Sequence, residues 1–287
     1  MLPTVVIPEK RLRNGFTMPS FGLGTWGFGG WTEPDPSGDT EAVAAIRRAI
    51  DAGLTHIDTA ERYARGHTEE LVGKAISGVD RKSLFLVSKV IPEHCSYDNI
   101  LQAAEMSLRR LGTAYLDLYL IHNPNPRIPT SESMHAMNRL ADEGLIRAIG
   151  VSNFTTEQWE ETARVSARPI VANQVHYNLR IRPSGAMLAH AESHDWMFIA
   201  WRPLRDVLRM ETKPTILGDL CTKYGKTPAQ IAIQWLLGQH NVVTIAQCGT
   251  AAHLEEVLGG LGWSLDPADA ERLRMDFPQE LLPSRTP

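Results

Sequence analysis

Eight short apolar segments, at residues 21–25, 54–58, 83–89, 116–122, 147–152, 170–175, 196–201 and 241–246, alternate along the chain with stretches whose apolar residues fall at helical spacing. The segments are apolar on both faces, which suits strands of a parallel sheet covered on each side. Eight of them in alternation with helices predict an α/β fold, a single (β/α)8 TIM barrel, over an open Rossmann sheet. No Gly-x-Gly-x-x-Gly opens a helix. The glycine-rich stretch at 21–30 has no helix directly behind it, so it is weak evidence for phosphate binding.

Helix signals separate the strands. Val43, Ile46 and Ile50 share a face that ends at Gly53; Leu101, Ala104, Leu108 and Leu111 run to Gly112; Met134, Met137 and Leu140 run to Gly144. Thr155 with Gln158, and Thr227 with Gln230, have the spacing of capping boxes. Helices are expected near 216–223 and from Pro228. Ahead of the first strand, residues 11–18 read as a β-hairpin at one end of the barrel, with Asn14-Gly15 suited to a type I′ turn.

The length of 287 residues exceeds an average domain but suits one barrel, so residues 1–287 are expected to form a single domain. With 43% hydrophobic and 22% charged residues the chain can bury a large core. A net charge of −4 with no basic cluster argues against a nucleic-acid face. Arg47-Arg48 and Arg109-Arg110 read as solvated helix faces. Cys95, Cys221 and Cys248 match neither a disulfide framework nor a metal-ligand spacing, so no metal is expected and a reducing cytoplasm is the default. The first ten residues, interrupted by prolines, do not read as a signal peptide, and no stretch is long enough to span a bilayer.

A parallel barrel does its chemistry at the C-terminal rim of its strands. Asp58, Lys89 and His122 each end a segment, and Tyr63 follows in the loop after Asp58. Singly, each reads as a packing or rim residue; together they form a proton-transfer set. A phenol, with an ordinary pKa of about 10, is a poor acid at neutral pH unless a cation lies beside it. Lys89 would supply the cation and Asp58 would orient it, while His122 donates to a carbonyl oxygen. Those are the parts needed to protonate an alkoxide as hydride arrives at carbon.

The residues carrying these groups also carry a resemblance. Gly22-Leu-Gly-Thr-Trp26, His56-Ile-Asp-Thr-Ala-Glu-Arg-Tyr63, Val87-Ser-Lys89, Asp117-Leu-Tyr-Leu-Ile-His122, Gly150-Val-Ser-Asn-Phe154 and Asn173-Gln-Val175 resemble, in order and spacing, the aldo-keto reductases. The resemblance implies an NAD(P)H-dependent carbonyl reductase, reversible as an alcohol dehydrogenase, with Tyr63 as general acid and a small carbonyl or alcohol as partner. It implies that Ser152, Asn153 and Gln174 hold the nicotinamide carboxamide. Trp201 takes the place of the usual stacking Tyr, and Thr25, Trp26, Asp58, Arg202 and Leu204 join the cofactor site; Arg202 and Arg205 read either as facing the pyrophosphate or as solvated rim arginines. Trp26, Trp31, Tyr63, His122 and Asn123 line the substrate pocket, which the short loop after the seventh strand and the short tail leave open.

Two departures stand out. Around the 2′-phosphate position, which Gln247, Cys248, Thr250, His253 and Glu256 would surround, NADPH-preferring members carry Lys, Ser and Arg where this chain has Gln247, Cys248 and His253. Without permanent cations NADH use is expected, although the helix start near Thr250 can still attract a phosphate. Ala64 replaces the Gly that often follows the Tyr, which questions that loop's conformation. Two other readings stay open: a non-catalytic regulatory subunit that senses nicotinamide cofactor, and a barrel aldolase forming a Schiff base at Lys89.

Overall fold

The structure, a computed structural model, describes residues 4–281. All eight predicted strands are present: β1 (Phe21–Gly24), β2 (His56–Asp58), β3 (Phe85–Val90), β4 (Leu118–Ile121), β5 (Ile149–Ser152), β6 (Ile170–His176), β7 (Met197–Trp201) and β8 (Val242–Ala246). Each pairs in parallel with its neighbours, and β8 returns to β1, so the sheet closes. Helices α1 (Asp39–Asp51), α2 (His67–Ile76), α3 (Tyr97–Leu111), α4 (Thr130–Asp142), α5 (Thr156–Val165) and α6 (Gly185–His194) follow the first six strands in turn. A short α7 (Arg205–Leu208), then α8 (Thr215–Tyr224) and α9 (Pro228–Leu237), follow β7; α10 (Ala251–Leu258) and α11 (Pro267–Asp276) follow β8. Both expected capping boxes form, at the starts of α5 and α9.

Apolar residues pack in two layers, as the two-faced strands require. Outside the barrel, Ile46, Leu71, Met137, Trp159 and Ile233 belong to the layer between strands and helices. Inside, Val87, Leu118, Leu120, Met197, Ile199 and Val243 form a second cluster, which Leu12 and Met18 of the hairpin complete. The hairpin, Glu9–Arg11 paired with Thr17–Pro19, therefore closes one end of the barrel as expected.

Its turn differs from expectation. A type I′ turn needs positive φ at both central residues, but Gly15 has φ +90° while Asn14 is not in the left-handed region. Gly15 N instead donates to Leu12 O at 3.0 Å, and Leu12 N to Phe16 O at 2.9 Å, the pattern of a tight turn followed by one left-handed residue. Asn14 acts through its side chain, accepting from Phe16 N at 2.9 Å. A second feature carried no sequence signal: Ile181–Arg182 pairs with Glu280–Leu281, and the buried Arg182 donates to the carbonyls of Leu179, Leu273 and Arg274.

Arg110 also corrects the reading of solvated arginines. Its Nε donates at 2.6 Å to Glu69, a fully buried carboxylate whose other oxygen accepts from Ser88 Oγ at 2.5 Å. Arg109 matches the expectation, pairing on the surface with Glu105. Removing one partner of a buried pair leaves an uncompensated charge, which costs about 3 to 5 kcal/mol. Arg110→Met is expected to lower unfolding free energy by about that amount in urea, whereas Arg109→Met changes it by about 0.5 kcal/mol or less. Equal effects in the two variants would refute the role of the Glu69 pair.

Candidate active site

The closed barrel carries Asp58, Lys89 and His122 to one rim because β2, β3 and β4 are adjacent and in register. Asp58 is the last residue of β2, Lys89 lies one before the end of β3, and His122 follows β4, its N–H donating to Val90 O at 2.9 Å. Tyr63 opens a helical turn in the loop after β2 and swings back over the rim. Lys89 is fully buried and its Nζ donates to Asp58 Oδ1 at 2.6 Å, to Thr59 O at 2.8 Å and to Tyr63 OH at 3.3 Å. The rings of Tyr63 and His122 meet edge to face with centroids 5.9 Å apart. All four residues singled out in the sequence thus converge.

Burial opposes the Lys89 charge, but Asp58 and Tyr63 together outweigh it and raise the ammonium pKa above its ordinary value. Burial raises the Tyr63 phenol as well. Lys89 pulls the other way, as expected, but more weakly, so the phenol stays protonated across the neutral range. His122 is held well below the ordinary imidazole range by burial first, then by Lys89 and Arg62. It is neutral, and its Nδ1 is buried without a partner.

Ala64 and Arg65 hold φ of +45° and +52°, so the loop keeps a left-handed path although neither is Gly. A non-Gly residue there costs of order 1 to 3 kcal/mol, strain that the buried Ala64 methyl and its N–H to Trp31 O at 3.2 Å help to hold.

Ser152 and Asn153 at the end of β5, Gln174 in β6 and Trp201 at the end of β7 are also brought together. Ser152 Oγ donates to Gln174 O at 2.9 Å; Asn153 Nδ2 donates to Ser152 Oγ and to His122 O, both at 3.1 Å. Trp201 Nε1 donates to Asn153 Oδ1 at 3.3 Å. A hydroxyl and two carboxamides beside an indole offer the donors and acceptors that a nicotinamide carboxamide needs, so the residues present fit that group. Thr25 is buried with its Oγ1 on Asp58 O at 2.8 Å, bracing the β2 terminus. Leu204 caps α7 with its backbone and packs against the core.

At the foot of α10 the side chains are largely committed. Gln247 Nε2 donates to Trp26 O at 3.1 Å, and burial pushes the Cys248 thiol up to about 12. Thr250 Oγ1 caps α10 by accepting His253 N at 3.1 Å, which leaves the His253 ring exposed. Glu256 accepts from Thr227 Oγ1 at 2.5 Å. Around the mouth, Trp26 and Trp31 stand edge to face at 5.0 Å and are 39% and 59% exposed. Asn123 is half-buried in a loop pinned by Asn125 Nδ2 on Pro92 O at 2.7 Å.

Three contacts were not foreseen. Thr59 O helps hold Lys89, a backbone role with no sequence signature. Gln174 Nε2 reaches Asp58 Oδ2 at 2.7 Å, tying the carboxamide cluster to the acid. His176 stacks on Trp201 with centroids 4.4 Å apart and Nε2 2.7 Å from Asp206. The two are register partners, and the strand expected to end at Val175 runs one residue further. That extra residue would have exposed the pair.

A buried Lys thus lies between an Asp and a phenol at the rim of an eight-stranded parallel barrel. The model of the aldo/keto reductase family matches residues 20–275, and the chain belongs to that family. It is 33% identical over 267 residues to the methylglyoxal reductase YeaE of Escherichia coli (strain K12), covering 91% of this chain and 92% of that one. It is 36% identical over 246 residues to the glyoxal reductase of Bacillus subtilis (strain 168), covering 85% and 83%. Among solved structures it resembles the thermostable aldo-keto reductase Tm1743 in complex with epalrestat, with TM-score 0.89, 43% identity and coverage of 93% and 99%. It also resembles an aldo-keto reductase of Klebsiella pneumoniae in complex with NADPH, with TM-score 0.85, 35% identity and coverage of 96% and 97%. Among the described residues, no helix is long and apolar enough to cross a membrane.

Proposed function

We propose that the chain reduces small reactive aldehydes or ketones with a nicotinamide dinucleotide, Tyr63 acting as general acid. The observation that carries this is Lys89 Nζ, buried and bridging Asp58 at 2.6 Å and Tyr63 OH at 3.3 Å. A nicotinamide dinucleotide, when bound, would supply the hydride that the carbonyl carbon receives. Tyr63, protonated at neutral pH, gives its proton to the carbonyl oxygen, and Lys89 stabilises the phenolate left behind. Neutral His122, its Nδ1 sealed, carries its proton on Nε2 and donates to the same oxygen. Ser152, Asn153 and Gln174 would hold the carboxamide, and Trp201 would offer its face to the ring. The substrate class rests on the relatives named as methylglyoxal and glyoxal reductases, with the exposed Trp26 and Trp31 at the mouth. The same reading places the protein in a reducing cytoplasm, with its three cysteines free.

The Schiff-base reading fares worse. An amine must be neutral to attack a carbonyl, and Lys89 is held as a cation in a buried ion pair. The cofactor-sensing reading predicts binding without turnover. Consumption of NADH or NADPH on addition of methylglyoxal or 4-nitrobenzaldehyde tests all three: steady turnover supports reduction, binding without turnover supports a sensor, and borohydride trapping on Lys89 supports an aldolase.

NADH is expected to bind comparably to, or more tightly than, NADPH, because the side chains at the 2′-phosphate position bring no permanent cation and Gln247, Thr250 and Glu256 are engaged elsewhere. Gln247→Lys with His253→Arg should strengthen NADPH binding selectively, each charge-assisted hydrogen bond contributing about 1.5 to 3 kcal/mol. Dissociation constants from nucleotide fluorescence titrations decide; a strong wild-type preference for NADPH would move the recognition to the start of α10.

A further inference from the structure

Trp201, the indole placed to stack on a nicotinamide ring, is itself held by a neighbour. His176 ends β6 and is the register partner of Trp201 at the end of β7. Its imidazole stacks on the indole with centroids 4.4 Å apart and planes 16° from parallel. Trp201 is only half-buried, and its single N–H donor is spent on Asn153 Oδ1 at 3.3 Å. That contact holds one edge of the indole and leaves its tilt free, so the imidazole is what fixes the plane.

The imidazole is fixed in turn. Asn178 is fully buried, and its Oδ1 accepts from the backbone N–H groups of Arg180 and Ile181, both at 2.9 Å. Its amide is thereby oriented, and its two Nδ2 protons go to Arg202 O at 3.0 Å and Asp206 Oδ2 at 2.9 Å. Asp206 Oδ2 lies 2.7 Å from His176 Nε2. Because the Asn178 protons are spent, the proton between these two atoms belongs to the imidazole. Burial keeps the His176 pKa below its ordinary value against the pull of Asp206. Burial also opposes the Asp206 charge, but the hydrogen bonds from Asn178 and His176 outweigh it and hold that carboxyl below its ordinary range. His176 is therefore a neutral ring with its tautomer set, donating from Nε2 to a carboxylate that is anchored to a buried amide.

The guanidinium carbon of Arg202 also comes within 4.9 Å of the indole centroid. Its Nε has no hydrogen-bond partner and, among the described residues, it forms no ion pair, so it can swing aside from an arriving ring. His176 is tied to Asp206 and stays.

We propose that His176 is a positioning residue: clamped by Asp206 and Asn178 against one face of Trp201, it holds the indole so that the opposite face meets the nicotinamide. The proposal rests on the nicotinamide site of the reductase reading and deepens it by naming what fixes the stacking surface. An indole that is already oriented loses little freedom when the nicotinamide arrives, so the clamp is expressed as tighter binding of that ring.

ADP-ribose carries the adenosine and pyrophosphate of NADH without the nicotinamide, so the ratio of the two dissociation constants, measured by titration calorimetry, isolates the ring. His176→Ala is expected to bind ADP-ribose as the wild type does and NADH about threefold to tenfold more weakly, the range an oriented aromatic contact contributes. His176→Phe returns a ring to the indole face and should recover part of that loss, although Asp206 lacks the imidazole in both variants. Asp206→Asn keeps the histidine but weakens its anchor, and should fall between His176→Ala and the wild type. Equal weakening of ADP-ribose and NADH in the Ala and Phe variants alike would give His176 a purely structural role and overturn the proposal. Unchanged NADH binding in His176→Ala would overturn it too, and tighter binding would place the imidazole on the face that the nicotinamide needs. Wild-type turnover of methylglyoxal, measured alongside, keeps the two readings apart: the expected ratios without turnover would overturn the reductase reading and leave the clamp standing, whereas turnover with a ratio indifferent to His176 would overturn the clamp alone.

Discussion

Tyr63→Phe is expected to lower kcat for carbonyl reduction by about two orders of magnitude or more, the loss typical when a positioned general acid is removed. The substitution takes away one oxygen and keeps the ring whose edge meets His122 at 5.9 Å. Lys89 loses its contact to the phenol but keeps Asp58 and the Thr59 carbonyl, so the buried charge stays compensated and the fold should persist. Because the phenol pKa is raised rather than lowered in the protein, the acid form is present throughout the neutral range. The wild-type reduction rate should therefore hold across that range and decline only in strongly alkaline solution, where Tyr63 loses its proton. Single-turnover reduction measured with saturating dinucleotide, beside a circular dichroism spectrum, separates chemistry from folding. Undiminished turnover in a folded variant would remove Tyr63 from the mechanism.

Most of the barrel was legible because its signals are periodic and local. Strands covered on both faces must be apolar throughout, and the residues that end them must turn, so positions such as Gly112 and the Thr155 and Thr227 caps mark the joints from within a few residues. The hairpin's existence was equally readable, but not its turn: Asn14-Gly15 is compatible with more than one geometry, and the choice is made by Leu12, which pairs with Phe16 as it enters the barrel floor. The buried Arg110 escaped for a related reason. Its partner Glu69 lies on a different helix, and no helical spacing reveals that α2 and α3 will pack side by side with a carboxylate facing inward.

Asp58, Lys89 and His122 were legible for a topological reason: in a parallel barrel, standing at the end of a strand places a side chain at the rim whatever the rest of the sequence does, and Tyr63 follows in the loop after Asp58. Contacts between strands distant in sequence were not. Gln174 reaching Asp58 joins β6 to β2 across the barrel, and the stacking of His176 on Trp201 depends on a register that only pairing defines. The sign of the Tyr63 shift was also hidden, because the sequence shows the cation but not the depth of burial that opposes it.

Lys89→Met should abolish most activity even where nicotinamide dinucleotide still binds, and its pH behaviour distinguishes an electrostatic role from a structural one. Methionine keeps roughly the bulk of the lysine stem, so the inner wall remains filled. What it removes is the cation 3.3 Å from Tyr63 OH, the largest influence that lowers the phenol's pKa against burial. Without it the phenol's pKa rises further, Tyr63 becomes a poorer acid for reduction, and alcohol oxidation, which needs the phenolate as base, should shift its rising limb to higher pH. Asp58 is left buried with Gln174 as its remaining side-chain donor, so a stability loss of about 3 to 5 kcal/mol is expected as well. The double variant Lys89→Met with Asp58→Asn removes both charges and should recover much of that stability without recovering activity. The pH dependence of oxidation in any residual activity, measured beside urea denaturation of both variants, reads the two effects separately. Activity retained with an unshifted pH profile would show that Lys89 does not tune Tyr63. Activity restored by Asp58→Asn would show that the loss came from an unpaired carboxylate and not from the missing cation.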